Sequence, residues 1–381
     1  MAIEELSGGQ LAALVERVFR VRPTDRALAI LVDLPDAARP DTPAWKERRE
    51  MAAGWADRLV PMRERLGMDV HLVLYRNVRT NNADLPGSAW FYAGKPLPAT
   101  ADELDPASQV PFSSIFQSHS ILIAVTELSP TAPLKLMGRN YSFRAATMPG
   151  FSPAMIPSLR LDYEEINRRV LRLKALLDRA EGADLVFQVE NGPECRLFLD
   201  LRHRTAHASG GLLHDPGTAG NLPSGEAYVV PYEGEIEGDP SRSSGHLPVQ
   251  FGDEVVIYEI DRNSALRVTG SGEAARLEAD HIVREPAYGN IAELGLGVLS
   301  DFGVEPCGSL LLDEKLGLHI AFGRSDHFGG RIGAAQFSRP EEVVHIDRVY
   351  LPSVQPRVHV RSVDLHSPGL DTPLMRDGRF V

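Results

Sequence analysis

The sequence predicts an α/β fold: an N-terminal open α/β domain followed by a β-rich α+β domain. Three observations carry this reading. Strand-length apolar runs alternate with helix-period segments as far as Ala180, the mark of an open α/β layer. Beyond Leu185 the texture changes to short apolar runs punctuated by Gly and Pro. A length of 381 residues, at roughly 150 per domain, favours two domains. Hydrophobic residues at 43% and charged residues at 24% are near the globular average, which argues against disorder and coiled coil.

In chain order, Leu11, Leu14, Val15, Val18 and Phe19 share one helical face, and Ala27–Val32 then reads as a buried strand. A second helix is expected over Pro43–Leu66, and strands over His71–Tyr75 and Ile121–Val125. Between them, Asn77 to Pro111 is rich in Pro, Ala, Asp and Asn and reads as a long connection without regular structure. Tyr163–Ala180 is an amphipathic helix through Ile166, Val170, Leu173, Leu176 and Leu177. The later strands are expected at Leu185–Val189, Leu197–Leu201, Ala227–Val230, Val255–Ile260, Leu318–Phe322, Val343–Tyr350 and Val358–Val363. The domains are therefore expected at 1–181 and 182–381. Ser241–Ser244, within the Gly/Pro/Ser stretch 238–248, reads as a mobile loop.

Charge and cysteine content exclude several functions. With 40 Lys and Arg against 52 Asp and Glu, the formal charge of -12 leaves no broad basic surface for nucleic acid or anionic membrane. No apolar run approaches the roughly 18 residues of a membrane span. Met1–Leu6 is acidic and lacks the features of a secretory leader, so a cytoplasmic location is expected. Cys195 and Cys307 stand far apart, which fits a reducing compartment and rules out a Cys₄ zinc site.

The chemistry concentrates in the second half. Strand period two sends His345 and Asp347 of His345-Ile346-Asp347 to one face. His319 opens a second strand that runs into Gly323-Arg324-Ser325-Asp326-His327-Phe328-Gly329-Gly330, a polar loop framed by glycines. Glu226 follows Pro223-Ser224-Gly225, and Glu293 sits between Ala292 and Leu294, where an unpaired carboxylate is costly to bury and a cation partner accounts for it. Two imidazoles and three carboxylates without sulfur suit one or two zinc, manganese or cobalt ions in a hydrolase. They also suit one ferrous ion in an oxygenase. His203-Arg204-Thr205-Ala206-His207 lacks a zincin glutamate and reads as loop, and no Gly-x-Ser-x-Gly elbow or dinucleotide fingerprint occurs.

Asn221-Leu222-Pro223-Ser224-Gly225-Glu226, then Glu293, His319-Ile320-Ala321-Phe322-Gly323 and His345-Ile346-Asp347 resemble the ordered motifs of the aminopeptidase T, or thermophilic leucyl aminopeptidase, family. The resemblance covers roughly residues 160–350. It implies adjacent metal ions held by Glu226, Glu293, His319, His345 and Asp347, a metal-activated water, a peptide or small-molecule amide substrate, and a homodimer. The family's sixth ligand, a tyrosine seven residues after the first histidine, falls on Asp326 here. The 2,5-dihydroxypyridine dioxygenases are similar in Pro-Ser-Gly and His-x-Asp. They open an aromatic ring with O₂ at one ferrous ion, carry a histidine where this chain has Glu293, and use neither of the positions of Glu226 and His319 as ligands. The ligand set here is closer to the aminopeptidases. Asp326, His327 and Glu233 are the candidate general bases, and Arg324 or Arg331 the candidate partner for a substrate carboxylate.

Overall fold

The structure, a computed structural model, describes residues 4–381, so the acidic Met1–Leu6 stretch begins outside the described residues. The chain forms two compact units. One holds the residues up to Asn167 together with Gly211–Ser224; the other holds Arg168–Gly210 and Gly225–Val381. The division is not a single cut near 181, because Ala219–Asn221 pairs as a strand with the first unit's sheet.

The first unit is built on a seven-stranded sheet. Its strands are β1 (Ala27–Leu34), β2 (Asp69–Arg76), β3 (Ser88–Tyr92), β4 (Val110–Pro111), β5 (Ile121–Ala124), β6 (Arg144–Thr147) and β10 (Ala219–Asn221), in the order β10-β6-β5-β1-β2-β3-β4. From β10 to β2 all neighbours are parallel. All eight residues of β1 are buried, as expected of a central parallel strand covered on both faces. One face packs Leu31, Val73, Phe112, Ile115, Phe116, Leu134 and Phe143 into a continuous core.

The helices α1 (Gly8–Phe19), α2 (Pro43–Leu59), α3 (Arg63–Leu66), α4 (Phe112–Ser118) and α5 (Thr131–Tyr141) belong to this unit. α1 opens on a capping box in which Ser7 and Gln10 satisfy each other's backbone N–H groups. The helix expected over Pro43–Leu66 is instead interrupted by the 3₁₀ turn Val60–Met62, since Pro61 lacks the N–H that a continuous helix needs. The connection 77–111 is not structureless: β3 and β4 lie within it, and Ala89 and Trp90 are buried. Its Pro and Asn residues masked a short antiparallel edge.

α6 (Tyr163–Leu177) leads into the second unit. An eight-stranded sheet there takes the order β14-β13-β12-β8-β7-β18-β19-β20. Its members are β7 (Gly182–Val189), β8 (Glu194–Asp200), β12 (Ser244–Phe251), β13 (Glu254–Asp261), β14 (Ser264–Thr269), β18 (Val358–Ser367), β19 (Leu370–Arg376) and β20 (Arg379–Phe380). The helices α7 (Glu273–Arg284) and α8 (Leu310–Asp313) complete the unit's helical content. Ser241–Ser244 is not a mobile loop: Ser241 and Ser243 are buried, the Ser243 hydroxyl accepts the Asp200 N–H at 2.9 Å, and Ser244 begins β12. Small hydroxyl residues stitch this segment down by local hydrogen bonds.

His366 on β18 bridges Asp371 of β19 and Asp184 of β7, each at 2.8 Å. The hydrogen bond to Asp371, with that to Asp184, outweighs slight burial and raises the imidazole above its ordinary 6.5. A raised folded-state value means that the clasp is fully present below pH 6.5 and is lost as pH rises through the folded value. Wild type should therefore exceed His366→Gln in urea midpoint by more at pH 6 than at pH 9. An equal gap at both pH values would show that the clasp carries no pH-dependent stability.

Candidate metal centre

The second unit's other sheet holds the predicted donors. It runs β17-β16-β15-β11-β9, with β9 (His207–Ser209), β11 (Glu226–Val229), β15 (Ile291–Gly297), β16 (Leu318–Gly323) and β17 (His345–Val349), every pair antiparallel. Paired residues of neighbouring strands share a face. Glu293 and Asp347 are both registered with Ala321, His319 with Gly295, His345 with Gly323, and Glu226 with Gly297. One face of the sheet thus sets five donors against glycine or alanine, and the missing side chains leave room for them.

Two of these glycines are required by close approach. A Cβ on Gly295 would lie 1.9 Å from His319 Nε2, so only glycine admits the imidazole there. A Cβ on Gly297 would lie 2.1 Å from the Lys315 carbonyl carbon, so only glycine lets the turn Glu314–Leu316 lie against β15.

The donors form two groups that share Glu293: Glu226, Glu293 and His319, all buried, and Glu293, His345 and Asp347, in which the last two are half-buried. Glu293 Oε1 is 3.1 Å from His319 Nε2, and its Oε2 is 3.3 Å from His345 Nε2. His319 Nε2 also lies 3.6 Å from Glu226 Oε2, and His345 Nε2 3.6 Å from Asp347 Oδ1. His345 Nδ1 donates to the Arg324 carbonyl at 2.8 Å, which fixes the ring and aims Nε2 at the carboxylates.

Electrostatics tie the cluster together. Burial opposes the Glu293 charge, but hydrogen bonds from His319 and His345 prevail and hold its carboxyl below the usual range. For His319, burial works downward, yet the Glu293 hydrogen bond and the nearby carboxylates push the imidazole up to about 9. Asp347 and Glu293 likewise raise His345 against burial. The carboxylates thus attract positive charge to the points where a cation would bind. Two buried atoms, Glu226 Oε2 and His319 Nδ1, have no hydrogen-bond partner among the described residues. The second group, with Glu293 Oε2 3.3 Å and Asp347 Oδ1 3.6 Å from His345 Nε2, fits a divalent ion in the chemistry of its donors.

A residue missed in sequence completes the centre. Lys315, 2% exposed, sets its ammonium 2.6 Å from Glu226 Oε1 and also ion-pairs with Glu314. Asp313-Glu314-Lys315 reads as a solvated charge run, and only the flanking Leu312 and Leu316 hint that it is buried.

The remaining candidates lie beside the donors and belong to neither group. Asp326 is engaged by Arg324 Nε at 2.5 Å, which uses both side chains. Glu233 accepts from Ser325 Oγ at 2.6 Å, from Asn290 Nδ2 at 2.8 Å and from the Arg331 backbone, and so pins the loop in place. The His327 ring lies 5.2 Å from that of His345 and 3.9 Å from that of Phe328. Burial, with the charges of His345 and Arg324, pushes His327 down to about 4.

No protein-family profile matches the chain, and no curated protein sequence does. Solved structures do. The chain is similar to 2,5-dihydroxypyridine dioxygenase from Pseudomonas putida KT2440, at 17% identity and a TM-score of 0.62, over 99% of this chain and 98% of that one. It is also similar to AmpT from Thermus thermophilus, at 15% identity and a TM-score of 0.55, over 98% of each chain. At these identities the likeness establishes a shared α/β fold, distant from both. Among the described residues, no helix is long and apolar enough to cross a membrane.

Proposed function

We propose that this protein is a metal-dependent hydrolase that cleaves a peptide or small-molecule amide bond. The observation that carries the reading is the group Glu293, His345 and Asp347, one imidazole with two carboxylates. That donor set suits zinc, manganese or cobalt, whereas the ferrous oxygenase face calls for two imidazoles and one carboxylate. A divalent ion held there would supply Lewis acidity toward the amide carbonyl and lower the pKa of a water.

The chain's own residues do the rest. Glu293 and Asp347 hold negative charge beside His345, and the Arg324 carbonyl keeps that ring in one tautomer. The His327 ring, 5.2 Å from that of His345, stands beside the centre and would take a proton from the attacking water. His327→Gln should lower kcat by about 10²-fold while leaving metal content unchanged. Loss of metal in that variant would make the residue part of the metal site instead.

The test is hydrolysis by protein purified anaerobically and loaded separately with zinc, manganese and cobalt, on a panel of aminoacyl and small-molecule amides. Amine release that a chelator abolishes and added metal restores is expected. No release with any ion would overturn the reading.

A second reading has one observation in its favour. His319 and His345 both approach the Glu293 carboxylate, which gives two imidazoles and one carboxylate in a single cluster. It makes the protein a mononuclear ferrous oxygenase of a small aromatic or amino-acid-derived compound. Substrate-dependent O₂ uptake by the iron-loaded protein would decide for it.

A further inference from the structure

We propose that the Lys315 ammonium takes the place of a second metal ion at Glu226, so that the centre binds a single divalent cation, at Glu293, His345 and Asp347. This rests on the metal centre described above and sets its stoichiometry.

Glu226 belongs to the fully buried donor group, where a second ion would need its carboxylate. One oxygen of that carboxylate already accepts from Lys315 Nζ at 2.6 Å. A divalent ion on the other oxygen would lie within a few ångström of the ammonium, with little water between them to screen the repulsion. The ammonium cannot readily withdraw. Lys315 is 2% exposed, its Nζ is also tied to Glu314, and its backbone is pressed against Gly297 on β15, the register partner of Glu226. The other group offers an ion better access, because His345 and Asp347 are half-buried whereas Glu226 and His319 are buried.

The experiment is metal stoichiometry by elemental mass spectrometry after apo protein is loaded with excess zinc or manganese and desalted. Wild type, Lys315→Met and Glu226→Gln are compared. Wild type should hold one ion per chain. Lys315→Met, which keeps the side-chain length and removes the charge, should hold two. Glu226→Gln should still hold one. Two ions in wild type, one in folded Lys315→Met, or loss of the ion in Glu226→Gln would each overturn the inference. If Lys315→Met does not fold, the other two proteins still decide. Hydrolysis is scored separately: one ion without amide cleavage sinks the hydrolase reading and leaves the lysine's role standing, whereas two ions with cleavage does the reverse. A wild-type chain that takes up no ion overturns both.

Discussion

Asp347→Ala and His345→Ala should each reduce bound metal from about one ion per chain to below about a tenth, because losing one of three protein donors removes coordination that the other two cannot replace. Activity should fall with it, by about 10³-fold or more, since the proposed hydrolysis would depend on the Lewis acidity of the bound ion. The fold should survive. Both residues lie on β17 at one end of its five-stranded sheet, and both are half-buried, so truncation opens no large cavity. Elemental analysis, far-UV circular dichroism and a urea titration on the same preparations check this. Unchanged metal content in either variant would remove β17 from the site.

Gly297→Ala should be the most damaging single-methyl change in the centre. Its Cβ would meet the carbonyl carbon and oxygen of Lys315 at 2.1 and 2.4 Å and the Glu314 carbonyl oxygen at 2.6 Å, all backbone atoms. The turn Glu314–Leu316 must then move away from β15, and the hydrogen bond from the Gly297 N–H to the Gly317 carbonyl at 2.8 Å opens with it. Overpacking of this kind costs about 3 kcal/mol. The urea midpoint should drop accordingly, and the Lys315 ammonium should lose its position on Glu226. A midpoint within error of wild type would show that the turn yields easily and that the glycine is not required there.

The fold class followed from apolar periodicity, which is a local signal. It failed where composition and pairing disagreed. Pro61 hid a break inside an apolar helical pattern, and Trp90 was buried in a stretch whose prolines argued for loop. Ser241 and Ser243 were polar and yet enclosed, because Asp200 and the serines satisfy one another. At the site, Glu226, Glu293, His319, His345 and Asp347 were legible as residue types in an order shared with known families, and the sheet register brings them to one face. The period-two alternation Glu293, Gly295, Gly297 was also present in the sequence. It marks a strand that clears space for its neighbours' side chains. Lys315 was the least legible, because nothing local distinguishes a lysine that faces a buried carboxylate across a sheet from one in water.

Spreading the donors over four strands of one antiparallel sheet also constrains how the protein is made. Glu226, Glu293, His319 and Asp347 meet only after strands well separated in sequence have paired, so the centre is built from non-local contacts. A metal ion therefore finds its full set of donors only in the finished sheet. An ion that prefers the native state to the unfolded chain would raise stability by mass action as its concentration exceeds the dissociation constant. In the proposed enzyme metal loading would then follow folding, and apo protein should remain competent to take up its ion afterwards.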